Sequence, residues 1–528
     1  MKNPKLKPLK VLFVSVEAAP FAKVGGLADV AGALPQALKN LGVDISVIMP
    51  LHKCAKKILA EKKYNVKKII HNFSVEYNGG KEKINVYQAM LKLANKGLTP
   101  PLPPSRACPE RQPNGGELKD SVLVYFIDHK MFTSAEEVYE NENKFLFFSK
   151  AVVELIATHT PLAPLKCGIY NPDIIHCNDN HIALIPVLIK IKKLPIKTVF
   201  TIHNLMYQGK ISTEDLKLLN ISKESASSLK KDSENGDINK MAQGILLSDI
   251  INTVSPTYAK EILTKEYGEG LDNILKMRKK DLYGIINGID TENLNPENDP
   301  LIPYDYSIKN LEGKKRCKEE LLRKYWVTPL FKGGECTDLP PLIGLVSRID
   351  SQKGIDLVIE AMPELFKNHP DTRFILLGTG LPEYENQLKT LASKYPDNFK
   401  ALIKFDIKIA QKIYAGSDIF LMPSRFEPCG LGQLTAMRYG TVPIVRKTGG
   451  LADTVIKLKS QISNLKTADG FMFDEYSNIA MLEAIDIALN VYQDKKIWKQ
   501  LVINGMRRDS SWDASAKKYL ELYKKMSA

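Results

Sequence analysis

Apolar residues along this chain fall into two alternating patterns. Short, mostly apolar runs occupy residues 11–16, 44–49, 122–126, 173–177, 198–202 and 250–254, and then 342–346, 374–377, 418–422 and 441–445. Between them apolar residues recur at helical spacing, as at Leu27, Val30, Ala31, Leu34, Leu38 and Leu41. A continuous apolar run flanked by helices predicts a strand buried on both faces, and the alternation predicts α/β architecture with parallel sheets. Residues 293–341 are polar, carry several prolines and hold one helical stretch at 314–325, so they mark the link between two halves. Residues 512–525 predict a final amphipathic helix. Residues 100–116 are rich in Pro and Gly and predict an exposed loop or lid insertion. A second polar loop is expected at 230–237.

One heptapeptide occurs almost twice. Lys23-Val-Gly-Gly-Leu-Ala-Asp29 and Lys447-Thr-Gly-Gly-Leu-Ala-Asp453 agree at six of seven positions, and each follows an apolar run and precedes a helical pattern. The repeat predicts two similar α/β halves facing each other across a cleft. Strand, glycine turn and helix is also an arrangement that presents backbone N–H groups to an anion. The glycines let backbone approach closely, and the lysine before them adds a point charge. The motif is neither the dinucleotide fingerprint nor a P-loop.

Composition narrows the classes. At 528 residues the chain is long enough for more than one domain, and 44% hydrophobic with 25% charged residues is ordinary for a soluble globular protein. The net charge of +14 is spread thinly, with no base-reading module and no long basic run, so nucleic acid is not an expected partner. A lysine-rich solvated surface and a basic cleft for an anionic substrate both fit that charge. Cysteines 54, 108, 167, 177, 317, 336 and 429 form no C-x-x-C pair, which argues for reduced thiols rather than a zinc site or disulfide frame. Lys2, Lys5, Lys7 and Lys10 precede an apolar run ended by Glu17, too short for a secretory leader and better read as a first strand. No stretch is long enough to span a membrane, and the expected location is the cytoplasm.

Two segments of the second half carry chemistry. Val346-Ser-Arg-Ile-Asp-Ser-Gln-Lys-Gly354 ends a predicted strand and opens a helix, which puts Arg348 and Lys353 at the carboxyl end of the sheet. Cations at a helix start oppose the helix dipole, so their presence there points to an anion nearby. Pro423-Ser-Arg-Phe-Glu-Pro-Cys-Gly-Leu431 offers a carboxylate, Glu427, at another such turn. A turn carboxylate is often only an N-cap, but here further backbone N–H groups follow it.

These segments, with Lys-x-Gly-Gly-Leu-Ala-Asp, His203-Asn-Leu-Met-Tyr-Gln-Gly209, Thr253-Val-Ser-Pro-Thr-Tyr-Ala259 and Asn287-Gly-Ile-Asp290, resemble bacterial glycogen synthase and plant starch synthase in motif content and order from residue 10 to 525. The resemblance implies two Rossmann-like domains of the B-type glycosyltransferase fold with a nucleotide-sugar in the deep cleft between them. It implies an N-terminal domain over 1–290 on the acceptor side and a C-terminal domain over 291–508 on the nucleotide-sugar side, including a linker at 291–341. A terminal helix, 509–528, crosses back to the N-terminal domain. The implied activity is transfer of glucose from ADP-glucose to the non-reducing end of an α-1,4-glucan, with retention.

Roles carry over position by position. Arg348 and Lys353 hold the distal phosphate, and Lys23 with Gly25 and Gly26 completes that clamp. Glu427 binds glucose hydroxyls beside the N–H groups of Cys429, Gly430 and Leu431. His203 sits over the glucose with its carbonyl at the reacting centre, Asn204 and Asn287 support the sugar, and Asp179 lies on the acceptor side. Phe405 is either core packing or the aromatic against adenine, and Asp29 either a helix-face residue or part of the substrate site. The implied mechanism is front-face displacement, in which the leaving phosphate helps deprotonate the acceptor hydroxyl. Neither cofactor nor metal is expected: there is no D-x-D, and cations do that work. The chain departs from the family at Asn180, where Trp is usual, at Gly432, where Thr is frequent, and at Ala242, where Lys is usual. A UDP-glucose or short-oligosaccharide enzyme and a non-catalytic glucan-binding scaffold are the alternatives.

Overall fold

Val11, Leu12, Phe13 and Val14 have no solvent exposure, as a strand covered by helices on both faces requires. The computed structural model describes residues 8–91, 121–141, 143–158, 171–212, 214–221, 237–326 and 339–527. The insertion expected at 100–116 and nearly all of the loop expected at 230–237 lie outside them. The chain divides into two units. Unit 1 takes the chain up to 254, residues 259–288 and the chain from 512; unit 2 takes 255–258 and 289–511.

Unit 1 carries β1 (Lys10–Val14), β2 (Asp44–Pro50), β3 (Lys67–Tyr77), β4 (Gly80–Leu91), β5 (Val122–Asp128), β6 (Ile174–Asn178), β7 (Lys197–Ile202), β8 (Lys210–Ser212), β9 (Asp237–Asn239), β10 (Ile250–Thr253) and β11 (Leu282–Gly284). Nine of these form one sheet in the order β11-β10-β7-β6-β1-β2-β5-β4-β3. It is parallel from β11 to β5, while β4 and β3 add an antiparallel edge. That edge departs from the purely parallel expectation. Its residues alternate between exposed and covered positions and include Lys67, Lys68, Lys81 and Lys83, so no continuous apolar run announces it. An antiparallel edge tolerates a wet face where a parallel strand does not.

Unit 2 is built on β12 (Leu342–Val346), β13 (Arg373–Gly378), β14 (Phe399–Ile403), β15 (Ile419–Met422), β16 (Val442–Arg446) and β17 (Phe471–Phe473). All are parallel, in the order β14-β13-β12-β15-β16-β17. In each unit the chain builds one side of the sheet and then crosses to build the other. Strand order therefore reverses between β1 and β6 in unit 1, and between β12 and β15 in unit 2. Ligands of open α/β sheets bind outside the carboxyl ends of the strands at such points.

The linker expected at 291–341 is, as far as residue 326, fastened into unit 2. Lys314 Nζ donates to the carbonyls of Ala415, Ser417 and Tyr439 and to Thr441 Oγ1 at 2.8–3.0 Å. Arg438 Nε donates to Leu294 O at 3.1 Å. Four acceptors satisfy an ammonium that burial would otherwise leave costly.

The last helix, Trp512–Ser527, completes the unit 1 core. Trp512, Ala516, Tyr519, Leu522 and Tyr523 are buried with Val11, Phe13 and Leu34. Two of its phenols meet the sheet's buried polar residues: Tyr523 Oη lies 2.6 Å from His176 Nδ1, and Asn252 Nδ2 donates to Tyr519 Oη at 2.9 Å. Tyr523→Phe should lower unfolding free energy by about 1–2 kcal/mol, the cost of leaving a buried imidazole nitrogen unpaired. Tyr523→Ala should cost about 3–5 kcal/mol by adding a cavity. Denaturant melts of the two variants check the order.

Candidate active site

Unit 2 brings its two motif loops together at its strand-order reversal. Lys353 Nζ meets Glu427 Oε2 at 2.5 Å, and Ser424 Oγ donates to the same oxygen at 3.0 Å. Both Lys353 and Glu427 are largely buried. Arg348 follows β12 and pairs with Asp350 Oδ2 at 2.8 Å, while its Nη2 donates to Gln352 Oε1 at 3.0 Å. Gln352 joins the loops, donating to Phe426 O at 3.3 Å and accepting at its own carbonyl from the Arg425 N–H at 2.8 Å. A cavity here is lined by Ser347, Lys353, Ser424, Glu427, Gly430 and Gly432. Gly432, one of the departures, thus faces it without a hydroxyl. Cys429 is buried, Gly430 adopts φ +74, and Leu431 caps the helix Gly432–Arg438. Phe405 stands just beyond β14 and is 82% exposed, which rules out core packing.

The two copies of the repeat serve different ends. In the second, Gly449 and Gly450 lie beneath the Glu427 loop: Gly450 N–H donates to Glu427 O at 3.0 Å. A Cβ on Gly449 would fall 2.0 Å from Glu427 O, and one on Gly450 2.0 Å from Cys429 O. Its lysine pairs with Asp474 at 3.0 Å, and Asp453 accepts from Thr257 N–H and Oγ1 at 2.8 and 2.6 Å. These glycines are a packing device, not an anion cradle. In the first copy Lys23 pairs with Asp29 at 2.5 Å on a half-exposed surface. Gly25 caps the helix Gly26–Asn40, but the N–H groups of Val24 and Gly25 donate to Glu17 Oε2 at 2.7 and 3.2 Å. Glu17 carried no motif signal beyond its place just after β1, and Gln352 was legible only as a motif member.

Asp179 directly follows β6 in unit 1, at that sheet's reversal. It adopts φ +67, and its carboxylate is held by the N–H groups of His203, Asn204 and Asn180, while Oδ1 is buried without a partner among the described residues. Burial outweighs those donors and pushes its pKa up to about 7. His203 Nε2 lies 3.0 Å from Asn178 Oδ1. Asn178 Nδ2 donates to Val14 O at 3.0 Å, so the amide oxygen faces the ring and Nε2 carries the proton. Burial lowers the His203 pKa to about 3, keeping the imidazole neutral. Asn204 Oδ1 accepts from Met206 N–H at 3.1 Å. Asn287 is buried, with its Oδ1 unpartnered among the described residues. Asn180, the position of the missing Trp, donates to Tyr207 O at 2.9 Å. Ala242 is buried in the helix Lys240–Leu247. Among the described residues no His, Cys, Asp or Glu side chains gather as metal ligands do, and no helix is long and apolar enough to cross a membrane.

Residues 10–277 match the starch synthase catalytic domain family, and 332–503 match glycosyl transferases group 1. The chain is 41% identical over 530 residues to a glycogen synthase of Thermotoga maritima, covering 98% of this chain and 99% of the relative. It is 41% identical over 527 residues, with the same coverage, to a glycogen synthase of Thermosipho africanus. Among solved structures it resembles the catalytic domain of starch synthase IV from Arabidopsis thaliana bound to ADP and acarbose. That likeness has a TM-score of 0.82 and 30% identity, and covers 98% of this chain and 99% of the other. The fold is that of B-type glycosyltransferases, with mixed α/β units and parallel sheets.

The Asp179 environment has a pH signature. A carboxyl whose folded pKa is about 7, against 3.8 in its absence, holds a proton that the unfolded chain has already released between those values. Its contribution to stability is therefore present at low pH and lost as pH rises from about 4 to 7. Raised by burial in the same direction, Glu17 adds to this slope. Urea melts at pH 5 and 7.5 should show a smaller decline for Asp179→Asn than for the native protein.

Proposed function

Because this chain belongs to the starch and glycogen synthase family and is a glucosyltransferase acting on glucan, we propose that its donor is ADP-glucose. The acceptor is the non-reducing end of an α-1,4-glucan, and the anomeric configuration is retained. The observation that carries this reading is the Lys353–Glu427 pair beside Arg348 at the strand-order reversal of unit 2. Each of these charges has a partner within the protein. When the donor binds, Lys353 and Arg348 turn to the distal phosphate, and Glu427 is released to accept from glucose hydroxyls. Lys23 of unit 1 is the third cation on that phosphate. Phe405 offers its exposed ring to adenine, and the N–H groups around Cys429, Gly430 and Leu431 lie alongside the glucose and phosphate.

Chemistry proceeds on one face of the sugar. The acceptor 4-hydroxyl oxygen bonds to the anomeric carbon as the bond from that carbon to the phosphate oxygen breaks. The hydroxyl proton passes to the departing phosphate. Arg348 and Lys353 stabilise the negative charge that develops on ADP, and the His203 carbonyl faces the positive charge that develops on the sugar. Glu427, which keeps the Ser424 Oγ donor when Lys353 turns away, acts as a sugar ligand, and displacement proceeds without a covalent intermediate. Asn204 and Asn287 support the sugar, Asp179 lies on the acceptor side, and Asp29 acts through its pair with Lys23. The cytoplasm is the proposed location, with no disulfide among the described residues Cys54, Cys177, Cys317 and Cys429 in accord.

Two measurements test this. Labelled glucose should enter glycogen from ADP-glucose in preference to UDP-glucose, unaffected by EDTA; glucan binding without incorporation from either donor would leave only a scaffold. Lys353→Ala should lower kcat/KM at least about a hundredfold, since leaving-group stabilisation is worth roughly 3 kcal/mol. Near-native kinetics in that variant would remove the clamp assignment. Phe405→Ala should raise KM for ADP-glucose about tenfold, the loss expected when a base no longer stacks on an aromatic ring.

A further inference from the structure

The lysine loop of unit 1 is organised around a carboxylate outside every motif. Glu17 is 2% exposed. Its Oε2 accepts from the N–H groups of Val24 and Gly25 at 2.7 and 3.2 Å, and its Oε1 accepts from Tyr139 Oη at 2.5 Å. Its own backbone is fixed as well, because Ser15 Oγ donates to Glu17 O at 2.6 Å. The chain thus leaves Glu17, runs through Lys23, and returns two residues later to be tied to the side chain it started from. Ala19 N–H donates to Ala28 O at 2.9 Å, and a Cβ on Gly32 would fall 2.7 Å from Ala19 O, so the loop is seated on its helix. Tyr139 is braced in turn, its ring centroid 4.8 Å from that of His181.

This arrangement alters what the glycine turn can do. Two amides of the glycine turn, those of Val24 and Gly25 just ahead of the helix, already hold a resident anion. A buried carboxylate with three donors is not readily displaced, because release leaves it desolvated and unpaired. The cation in this loop is Lys23, whose partner Asp29 lies on a half-exposed surface where an ion pair is weak.

We propose that Glu17 is a positioning residue for glucosyl transfer: by holding the Val24 and Gly25 amides it fixes the loop that presents the Lys23 ammonium to the donor phosphate. The phosphate accordingly engages Lys23 and not those two amides. This rests on the reading of Lys23 as a phosphate ligand given above.

The test is a double-mutant cycle read by ADP binding, with kcat and KM for ADP-glucose alongside. Lys23→Ala should weaken ADP at least about threefold, and Glu17→Gln should weaken it comparably. The change in Glu17→Gln should appear mainly in KM for the donor, with the KM for glycogen unaltered. The double variant should bind ADP no more weakly than Lys23→Ala alone, since Glu17 acts through that side chain. Tyr139→Phe, which removes one donor and keeps the carboxylate, should give a smaller loss that likewise vanishes in the Lys23→Ala background. It also serves should Glu17→Gln fail to fold. Native ADP affinity in both the Glu17→Gln and Tyr139→Phe variants, or losses that add to that of Lys23→Ala, would overturn the positioning role alone. Native affinity in Lys23→Ala would overturn the phosphate reading beneath it, and the proposal with it. A fall in melting temperature with unchanged ADP affinity would mark Glu17 as structural only.

Discussion

Backbone lies directly against backbone under the Glu427 loop, and no side chain fits between. Gly449 and Gly450 touch the carbonyls of Glu427 and Cys429, and Gly354, at φ +69, would place a Cβ 2.1 Å from Pro423 O. These close approaches let the loop after β12 and the loop after β15 nest instead of standing a side chain's width apart. Lys353 can reach Glu427 because its neighbour Gly354 is pressed onto the start of the Glu427 segment. Everything that unit 2 offers a ligand depends on that contact distance, which only glycine satisfies.

With the two loops of unit 2 so close, their charges neutralise one another. Lys353 pairs with Glu427 and Arg348 with Asp350; within unit 1, Lys23 pairs with Asp29 and Glu17 accepts from two amides and a phenol. The buried members of this set would be costly if left unpaired. His203 and Asp179 follow a different rule. Burial keeps the imidazole neutral and draws a proton onto the carboxyl, so this end of the unit 1 sheet carries less charge than its residue types suggest.

Much of this could be read from residue patterns. Buried parallel strands announce themselves as apolar runs, so β1, β2, β5, β6, β7, β10, β12 and β15 were legible within a residue or two at most ends. The antiparallel edge formed by β3 and β4 was not, because a strand with one wet face mixes lysine with apolar positions and leaves no run. Arg348, Lys353 and Glu427 were legible because strand ends and glycine turns fix where side chains must lie. The distinct uses of the two heptapeptides were not, since identical residues meet a carboxylate in one place and a backbone carbonyl in the other. Glu17 was invisible for a related reason. Its partners are two amides and Tyr139, far along the chain, and neither leaves a mark in local sequence.

The tail that closes the unit 1 core has a consequence for how the molecule is made. Trp512, Tyr519 and Tyr523 fill positions against Val11, Phe13 and Leu34, near the opposite end of the chain. During vectorial synthesis the first sheet emerges from the ribosome hundreds of residues before the side chains that cover one of its faces. Unit 2 holds nearly all its residues in one continuous stretch and can finish folding as it emerges, whereas unit 1 cannot close its core until residues 512–523 have been made. The first sheet made is therefore sealed only after the chain of unit 2 has been laid down.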